Sequence, residues 1–455
     1  MRLLGLDIGT TSICGILCDA ETGEILQTVT KPNAGWITAE NEWEKLQDPG
    51  VLLGTVREIA EELAADGDVA AIGLTGQMHG IVYLDGEGNP VSPLIIWQDG
   101  RGDLPFREGK TYAETASALT GYRLATGFGA VTHFTQTVRG QIPPRAVSFC
   151  TIHDLAAMEL TGRKTPLLHP SDAASFGLCD LKKNAFDTAA IRAAGMDPAF
   201  FPAVAAGFAP VGFTKKNIPV SVAIGDNQAS VLGSVSSLTD SVLVNIGTGS
   251  QISCVTTVPP EQTAVECRPL IEGHWLLVGS ALCGGRAYAI LEQFLRETAA
   301  LITGQNVKSA YAAMDQMMHR FVPSGEPLIV DPRFCGTRQD PKKRGSIGNI
   351  GIHNFSAAAL CDGVMNGMVE ELMDFYTEMR PFLPQKMKRL IGSGNGLRLN
   401  QPLAERFSRA FGLPLSVPKV KEEAAFGAAL FAAVAAGVFP DMASAQTLIR
   451  YEGEK

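Results

Sequence analysis

The chain contains 455 residues, of which 45% are hydrophobic and 19% are charged, and its formal net charge is -9 with a pI near 5.4. Because a single hydrophobic core stops growing near ~250 to 300 residues, this length predicts two domains, and the composition is that of an ordinary α/β protein. The acidic balance argues against a nucleic-acid or anionic-membrane partner, since either needs clustered Lys and Arg.

The start of the chain and its most apolar segment predict a cytoplasmic protein. The chain opens on the strand-like run MRLLGLDIG, without the charged, apolar and small-residue regions of a secretory signal. Residues 424–439 are the most lipophilic stretch, but a spanning helix needs about 20 residues, so we expect a buried, closely packed helix there. The nine Cys show no C-x-x-C pairs and no His partners at metal-ligand spacing, which predicts free buried thiols.

Strand-like runs alternate with helix-like runs along the chain. Strands are predicted at residues 3–9, 70–76, 220–226 and 241–247, and helices at 52–63 and 357–379. This alternation is typical of α/β layers. The sequence IGTTS at residues 8–12 recurs as IGTGS at 246–250, each time at the end of an apolar strand. The repeat predicts two domains with related cores, residues 1–233 and 234–455, each presenting a strand-turn-strand loop.

The first of these loops has the residue types of a phosphate site. Asp7 closes a strand and is followed by Gly9, Thr10 and Thr11. Glycine lets the backbone approach an anion, hydroxyls and N–H groups hold phosphate oxygens, and the carboxylate can meet hydrated Mg²⁺. The alternative is an ordinary polar turn, but the recurrence of the motif at 246–250 favours the phosphate loop.

Two further strand ends complete the nucleotide and catalytic candidates. The cluster GSGNG at residues 392–396 follows an apolar run and suits the close approach of adenine or ribose, with a flexible turn as the alternative. Asp226 ends another apolar run and can accept the proton of an attacking hydroxyl. Its alternative role is the N-cap of the helix that begins near Asn227.

Polar groups at three more strand ends indicate sugar binding. GQMHG at 76–80, WQDGR at 97–101 and HD at 153–154 supply amide, imidazole, indole, carboxylate and guanidinium groups. Such groups can hydrogen-bond several hydroxyls while an aromatic ring covers the apolar face of a sugar. Taken singly, their alternatives are a His satisfied in a turn, a core Trp, an Asp–Arg surface pair and a helix cap.

Together these motifs resemble the FGGY family of carbohydrate kinases over nearly the whole chain. The resemblance implies an α/β fold of two duplicated actin-like (ribonuclease H-like) domains, with ATP and a sugar in an interdomain cleft. It implies that Asp7 and Asp226 hold Mg²⁺ and that Asp226 is the general base. The residues it places against the nucleotide are Thr10, Thr11, Gly247, Thr248, Gly249, Gly284, Gly285, Gly394 and Asn395. The candidates for the sugar are Gln77, Met78, His79, Trp97, Asp99, Arg101, Asp154 and Asn227.

Several segments point to one subgroup of that family. WQDGR at 97–101, ATGFGAVTHF at 125–134, TIHD at 151–154 and DAASFG at 172–177 resemble sedoheptulokinases. The resemblance implies phosphorylation of a ketose by ATP with Mg²⁺, and the partner is a small-molecule sugar, with homodimer formation left open. A xylulokinase is the alternative within this chemistry. An actin-like ATPase switch that grips a protein partner, or a catalytically inactive sugar sensor, are the alternatives from other classes.

Overall fold

The computed structural model describes residues 1–65, 67–260, 264–323, 325–337, 340 and 342–454. The chain divides into two compact units. Unit 1 contains residues 1–236, 268–274 and 422–450, and unit 2 contains 237–267, 275–421 and 451–455. Two segments from the second half of the chain therefore complete unit 1.

A mixed sheet forms the centre of unit 1. In spatial order its strands are Ile25–Pro32, Ser12–Asp19, Arg2–Ile8, Val69–Gly76, Pro219–Ser221 and Pro210–Phe213, with Ile224–Gly225 also paired to Val69–Gly76. Arg2–Ile8 is antiparallel to Ser12–Asp19 and parallel to Val69–Gly76. The central strands are continuous apolar runs because both of their faces are buried.

The predicted strand at 220–226 is wrong as one continuous element. Pro219–Ser221 and Ile224–Gly225 are separate strands that both pair with Val69–Gly76. The pairing Val220↔Ile72 gives way to Ile224↔Thr75, so the register slips by one residue between the two strands. An extra residue of this kind interrupts a ladder and redirects the chain that follows.

Helices cover the sheet of unit 1. Its helices are Pro49–Leu63, Tyr112–Thr120, Gly129–Val138, Ile152–Thr161, Pro170–Phe176, Thr188–Ala193, Asp226–Ser234, Glu423–Ala435 and Met442–Gln446, with 3-10 turns at Arg101–Asp103 and Pro198–Phe200. Its short strands are Trp36–Ile37, Leu46–Gln47, Val82–Leu84, Leu94–Ile95, Pro105–Arg107, Lys110–Thr111, Ser148–Cys150, Leu167–Leu168, Cys179–Asp180, Ala185–Phe186 and Ala203–Val204.

The helix Glu423–Ala435 confirms the prediction of a buried, closely packed helix. A Cβ atom added to Gly5 or to Gly73 would lie only 1.9 Å from a carbonyl oxygen of this helix. One added to Gly427 would lie 1.8 Å from the carbonyl oxygen of Ala229, in the helix Asp226–Ser234. Glycines at these points let the helix approach the sheet and its neighbouring helix more closely than any side chain permits.

Unit 2 repeats the order of the unit 1 sheet. Its core strands in spatial order are His274–Ala281, Ser250–Thr256, Ser241–Ile246, Arg389–Ser393 and Leu415–Ser416. The first three are antiparallel and the last two continue in parallel from Ser241–Ile246. The strand Glu266–Ile271 spans the boundary between the two units along the chain. The other strands of unit 2 are Ile329–Asp331 and Ser346–Gly348, and the helices are Gly284–Thr303, Tyr311–Arg320, Ala357–Met379, Asn395–Arg398 and Gln401–Phe411, with a 3-10 turn at Arg380–Phe382. The predicted α/β fold with two related cores is confirmed.

Within the described ranges, no helix combines the length and the apolar character that crossing a membrane requires. The nine cysteines are free thiols, and seven of them are buried.

Candidate active site

Three neighbouring strands of unit 1 end side by side and bring the two predicted catalytic carboxylates together. On the central strand Val69–Gly76, Thr75 pairs with Asp7 on one side and Gly76 pairs with Gly225 on the other. Asp226 follows directly on Gly225. Because the three strands are parallel, their carboxyl ends meet at one edge of the sheet, where ligands bind in open α/β sheets.

Asp7 and Asp226 share a negative and poorly solvated environment. Burial, together with the charges of Asp226 and Glu422, raises the pKa of Asp7 to about 7, although His153 opposes the rise. Burial also raises the pKa of Asp226, against the opposing effects of the Asn227 backbone and His153. A divalent cation would relieve this repulsion, and carboxylate oxygens are ligands that Mg²⁺ prefers. These residues therefore fit the implied Mg²⁺ site.

The backbone around Asp226 holds its carboxylate at the first turn of the helix Asp226–Ser234. Gly225 is the N-cap residue, so the alternative that Asp226 is the cap is wrong. The Asn227 backbone N–H donates to Asp226 Oδ1 at 2.7 Å. The Gly225 N–H donates to the buried Ser171 Oγ at 3.0 Å, which fixes the chain just before the carboxylate.

A buried ion pair lies close to these strand ends. His153 and Asp172 are fully buried, and His153 Nε2 lies 3.1 Å from Asp172 Oδ1. Burial disfavours the charged imidazole, but Asp172, Asp154 and Asp226 outweigh it and raise the pKa of His153 to about 9. A Cβ atom on Gly76 would lie 3.0 Å from His153 Nδ1, so the glycine makes room for the ring. His153 therefore carries a positive charge at neutral pH beside the two carboxylates.

Asp154 is a second member of this cluster. Thr151 is the N-cap of the helix Ile152–Thr161 and accepts the Asp154 N–H, so the alternative that Asp154 is the cap is wrong. The Thr151 hydroxyl donates to Asp154 Oδ2 at 2.6 Å. Burial and the charge of Asp172 raise the pKa of Asp154 to about 8. The ligand atoms of His153, Asp154 and Asp172 lie within 4.8 Å of one another, and the ion pair in this group is that between His153 and Asp172.

The predicted strand-turn-strand loop of unit 1 forms as the hairpin between Arg2–Ile8 and Ser12–Asp19, and this hairpin is the candidate first phosphate loop. Four side chains surround Thr10. Trp97 Nε1 donates to Thr10 Oγ1 at 3.0 Å, Thr10 Oγ1 donates to Gln77 Oε1 at 3.3 Å, and Gln77 Nε2 donates to Gln47 Oε1 at 2.9 Å. Gln47 Nε2 donates to the Thr10 carbonyl at 3.0 Å, and Asn33 Nδ2 donates to the Gly9 carbonyl at 3.1 Å. We call Thr10, Gln47, Gln77 and Trp97 the Thr10 network.

Met78 and His79 continue the segment that contains Gln77. Met78 is buried, and a Cβ atom added to Gly225 would lie only 2.5 Å from its sulfur atom. The Met78 thioether therefore packs against the backbone that leads to Asp226. His79 has φ 71°, and its Nδ1 lies 2.7 Å from the Ser175 carbonyl oxygen. The ring also stacks on Phe128 at 4.8 Å. A non-glycine residue held in this left-handed conformation is a mark of functional sites.

Trp97, Asp99 and Arg101 lie in one turn but differ in exposure. Trp97 is 44% exposed, so the alternative of a core Trp is wrong. Arg101 and Asp99 form a buried ion pair, with Nε to Oδ1 at 2.6 Å, so the alternative of a surface pair is also wrong. Asp99 Oδ2 accepts the Lys45 N–H at 3.0 Å, and the guanidinium lies over the Trp43 ring at 5.8 Å. The pair therefore fixes the turn that presents Trp97.

In unit 2, the candidate second phosphate loop is packed against the start of a helix. The hairpin between Ser241–Ile246 and Ser250–Thr256 turns through Gly247, Thr248 and Gly249. The Gly285 N–H donates to the Gly247 carbonyl at 2.9 Å. A Cβ atom on Gly284 would lie 2.3 Å from the Gly249 carbonyl carbon. The glycines of the two segments therefore form one close-packed cradle.

Gly394 and Asn395 lie beside the same hairpin. Gly394 has φ 80°, and a Cβ atom there would lie 2.5 Å from the Ile246 carbonyl oxygen. Asn395 begins the short helix Asn395–Arg398. The strand before them is joined to the hairpin by a hydrogen bond of 2.7 Å from Asn245 Nδ2 to Ser393 Oγ. The predicted nucleotide residues of unit 2 thus come together in three dimensions, where glycine is needed because the backbones of these segments pack closely against one another.

Sequence reasoning missed four polar residues around the unit 1 site. Asn33 and Gln47 hold the first phosphate loop, Arg268 Nη1 lies 3.3 Å from Asn227 Oδ1, and Glu422 raises the pKa of Asp7. Arg268 and Glu422 come from the two late segments that complete unit 1. Their local sequence gives no signal, because only the tertiary fold brings them near the catalytic candidates.

Comparison with known proteins identifies the family to which the two halves of the chain belong. Residues 2–233 match the FGGY family of carbohydrate kinases, N-terminal domain, and residues 242–436 match the C-terminal domain of the same family. Human sedoheptulokinase is 27% identical, with 94% of this chain and 96% of that protein covered. Glycerol kinase of Aquifex aeolicus is 26% identical, with 96% and 90% covered.

A solved structure shows the same fold. The crystal structure of xylulose kinase from Rhodospirillum rubrum superposes with a TM-score of 0.85 at 20% identity, covering 100% of this chain and 93% of that one. The named relatives are kinases with different acceptors, so overall similarity identifies the chemistry and not the sugar. With both family domains matched in order along the chain, the protein belongs to the FGGY family of carbohydrate kinases.

Proposed function

We propose that this carbohydrate kinase transfers the γ-phosphoryl group of ATP to the primary hydroxyl of a ketose, and that sedoheptulose, giving sedoheptulose 7-phosphate, is its acceptor. The observation that carries the proposal is the placement of Asp7 and Asp226 at the carboxyl ends of the two strands that flank Val69–Gly76. Phosphoryl transfer depends on positioning and on charge neutralisation, and an acidic pair at a strand edge suits both needs.

Asp226 is the proposed general base. Its pKa is raised by burial, which makes it a better proton acceptor than an ordinary carboxylate, while the Asn227 N–H keeps one oxygen fixed. The second carboxylate oxygen is then the candidate to accept the proton of the sugar hydroxyl. Mg²⁺ bound with Asp7 and Asp226 would neutralise charge on the phosphates.

ATP would be held mainly by backbone and hydroxyl groups of the glycine-rich turns. The candidates in unit 1 are the backbone of Thr10 and both the backbone and the hydroxyl of the exposed Thr11. Those in unit 2 are the cradle of Gly247, Thr248, Gly249, Gly284 and Gly285 and the neighbouring Gly394 and Asn395. Small residues at these positions allow phosphate and adenosine to approach the backbone.

The sugar candidates divide into direct ligands and supports. Trp97 is exposed, and the residues His79, Asn227 and Asp226 are partly exposed, so they can touch a ligand. Gln77, Met78, Asp99, Arg101 and Asp154 are buried and are proposed to shape the site. The subgroup segments of the sequence and the similarity to human sedoheptulokinase support sedoheptulose.

ADP release measured with a panel of acceptors tests the proposal. The panel contains sedoheptulose, xylulose, ribulose, fructose and glycerol, each with ATP and Mg²⁺. We expect the highest kcat/KM with sedoheptulose. A higher kcat/KM with xylulose or glycerol would show that sedoheptulose is not the preferred acceptor. ADP release that no sugar stimulates would overturn the proposed ketose kinase activity itself.

A further inference from the structure

Two protein groups of unit 1 take up the proton and one lone pair of the Thr10 hydroxyl. A threonine hydroxyl has one proton and two acceptor lone pairs. Thr10 donates its proton to Gln77 Oε1 and accepts the indole N–H of Trp97. This arrangement leaves no hydroxyl proton for a phosphate oxygen. The Thr10 side chain therefore connects segments of the protein instead of presenting a donor to ATP.

Gln77 and Gln47 form the rigid part of the Thr10 network. Both side chains are buried, and together they close a ring that runs from the Thr10 hydroxyl through two amides to the Thr10 carbonyl. A buried polar network of this kind is costly to disturb because each member would lose its partner. This ring of hydrogen bonds therefore restricts the movement of Thr10.

Trp97 is the exposed member of the network. Its backbone is fixed, since a Cβ atom on Gly127 would lie 2.1 Å from the Trp97 carbonyl oxygen. Trp97 as a whole remains 44% exposed while its indole N–H bonds Thr10. One side chain thus presents an aromatic face to solvent and, through its polar edge, contacts the phosphate loop.

We propose that Trp97 is a positioning residue that couples the two substrates. A sugar stacked on the indole immobilises the ring, and the N–H bond to Thr10 then holds the first phosphate loop in the conformation that binds ATP. Ordering the loop in advance lowers the entropy cost of the second binding event. By linkage, ATP raises sugar affinity by the same factor. This inference rests on the proposed function, because it takes a sugar as the ligand of Trp97.

Calorimetry with a non-hydrolysable ATP analogue and Mg²⁺, with and without saturating sedoheptulose, tests the coupling. In the wild type we expect sedoheptulose to tighten analogue binding at least about five-fold, the lower end of typical couplings. Trp97→Phe keeps an aromatic face but lacks the N–H, so the ratio should fall below about two-fold while sugar affinity stays within about three-fold. Thr10→Val should have the same effect, and Thr10→Ser should retain the coupling because it keeps the hydroxyl.

Matched variants separate coupling from general damage. Trp275 is half-buried and lies in unit 2, outside the network, so Trp275→Phe should leave the ratio unchanged. The double variant Trp97→Phe/Thr10→Val should lose no more than either single variant, since both remove one interaction. Thermal melting checks that each variant is folded.

The outcomes distinguish this inference from the proposed function. If the wild type phosphorylates sedoheptulose but Trp97→Phe and Thr10→Val keep the full ratio, or the wild type shows no coupling, the positioning role of Trp97 is wrong and the kinase activity stands. If no panel sugar is phosphorylated, the proposed function fails first. Additive losses in the double variant would also overturn the coupling, because they would mean that the two residues act separately.

Discussion

The two glycine-threonine hairpins have nearly the same sequence but are held in place by different means. In unit 1, residues 8–12 are held by side-chain amides and an indole, whereas in unit 2, residues 246–250 are packed against glycine backbone. The residue before each motif also differs, since Asp7 in unit 1 corresponds to Asn245 in unit 2. The comparison teaches that a repeated motif can keep its turn while its charge and its support diverge.

The difference in charge predicts which unit carries the chemistry. Asp226→Asn should lower kcat at least about 100-fold, the usual scale for loss of a general base, because the amide cannot accept the hydroxyl proton. Affinity for a non-hydrolysable ATP analogue and for sedoheptulose should stay within about three-fold. Steady-state kinetics and calorimetry measure the two effects. The control is Asp48→Asn, at a helix N-cap where Asn is an equally good cap.

A near wild-type kcat for Asp226→Asn would remove Asp226 from the role of base. Loss of nucleotide and sugar affinity together with kcat would instead indicate that the carboxylate mainly holds the substrates. In either case, the assignment of the proton transfer to the carboxylates at the strand ends of unit 1 would be wrong.

Because the second hairpin is held by glycine packing, we expect that a larger residue in that packing will weaken ATP binding. In Gly285→Ala, the new methyl group would lie 2.5 Å from the Gly247 carbonyl oxygen and must displace the second hairpin. Overpacking of this size costs about 1 to 3 kcal/mol, so KM for ATP should rise roughly ten-fold, with sugar affinity unchanged. Gly348→Ala is the control in the same unit, because its nearest atom would be 3.9 Å away. An unchanged KM would show that the cradle does not contribute to nucleotide binding.

Periodic sequence predicted the regular elements better than the support of the site. The helix Ala357–Met379 has the predicted bounds, and both hairpins form at the repeated motif. The strand at 220–226 was wrong because a one-residue slip in pairing leaves no trace in an apolar run. A register of this kind depends on the partner strand, which local hydrophobicity does not specify.

The site shows the same limit. Asp7, Gly76 and Asp226 could be predicted because each ends an apolar strand, and strand ends of parallel sheets meet at one edge. Asn33, Gln47, Arg268 and Glu422 could not, since each reaches the site from a segment without a motif. The burial that makes His153 and Asp172 an ion pair is likewise a property of the packed interior.

Replacing Asp7 by the residue that unit 2 carries should stabilise the metal-free protein. The pKa of Asp7 is about 7 in the folded chain, against an ordinary value of 3.8. Between about pH 4 and pH 7 the folded state therefore holds a proton that the unfolded state has lost, and the free energy of unfolding falls as pH rises through this window. Above it, the folded protein bears a buried, repelled charge that Asp7→Asn removes.

We expect Asp7→Asn to melt about 2 to 4 °C higher than the wild type at pH 8 with EDTA present, with the gap narrowing towards pH 5. Thermal melts at a series of pH values measure it, and Asp48→Asn should follow the wild type at every pH. Addition of Mg²⁺ with the ATP analogue should raise the melting temperature of the wild type more than that of Asp7→Asn, because only the wild type keeps both carboxylates for the cation. If the melting temperatures of the wild type and Asp7→Asn differed by the same amount at every pH, the charge of Asp7 would not destabilise the folded protein. The proposed electrostatic difference between Asp7 in unit 1 and Asn245 in unit 2 would then be wrong.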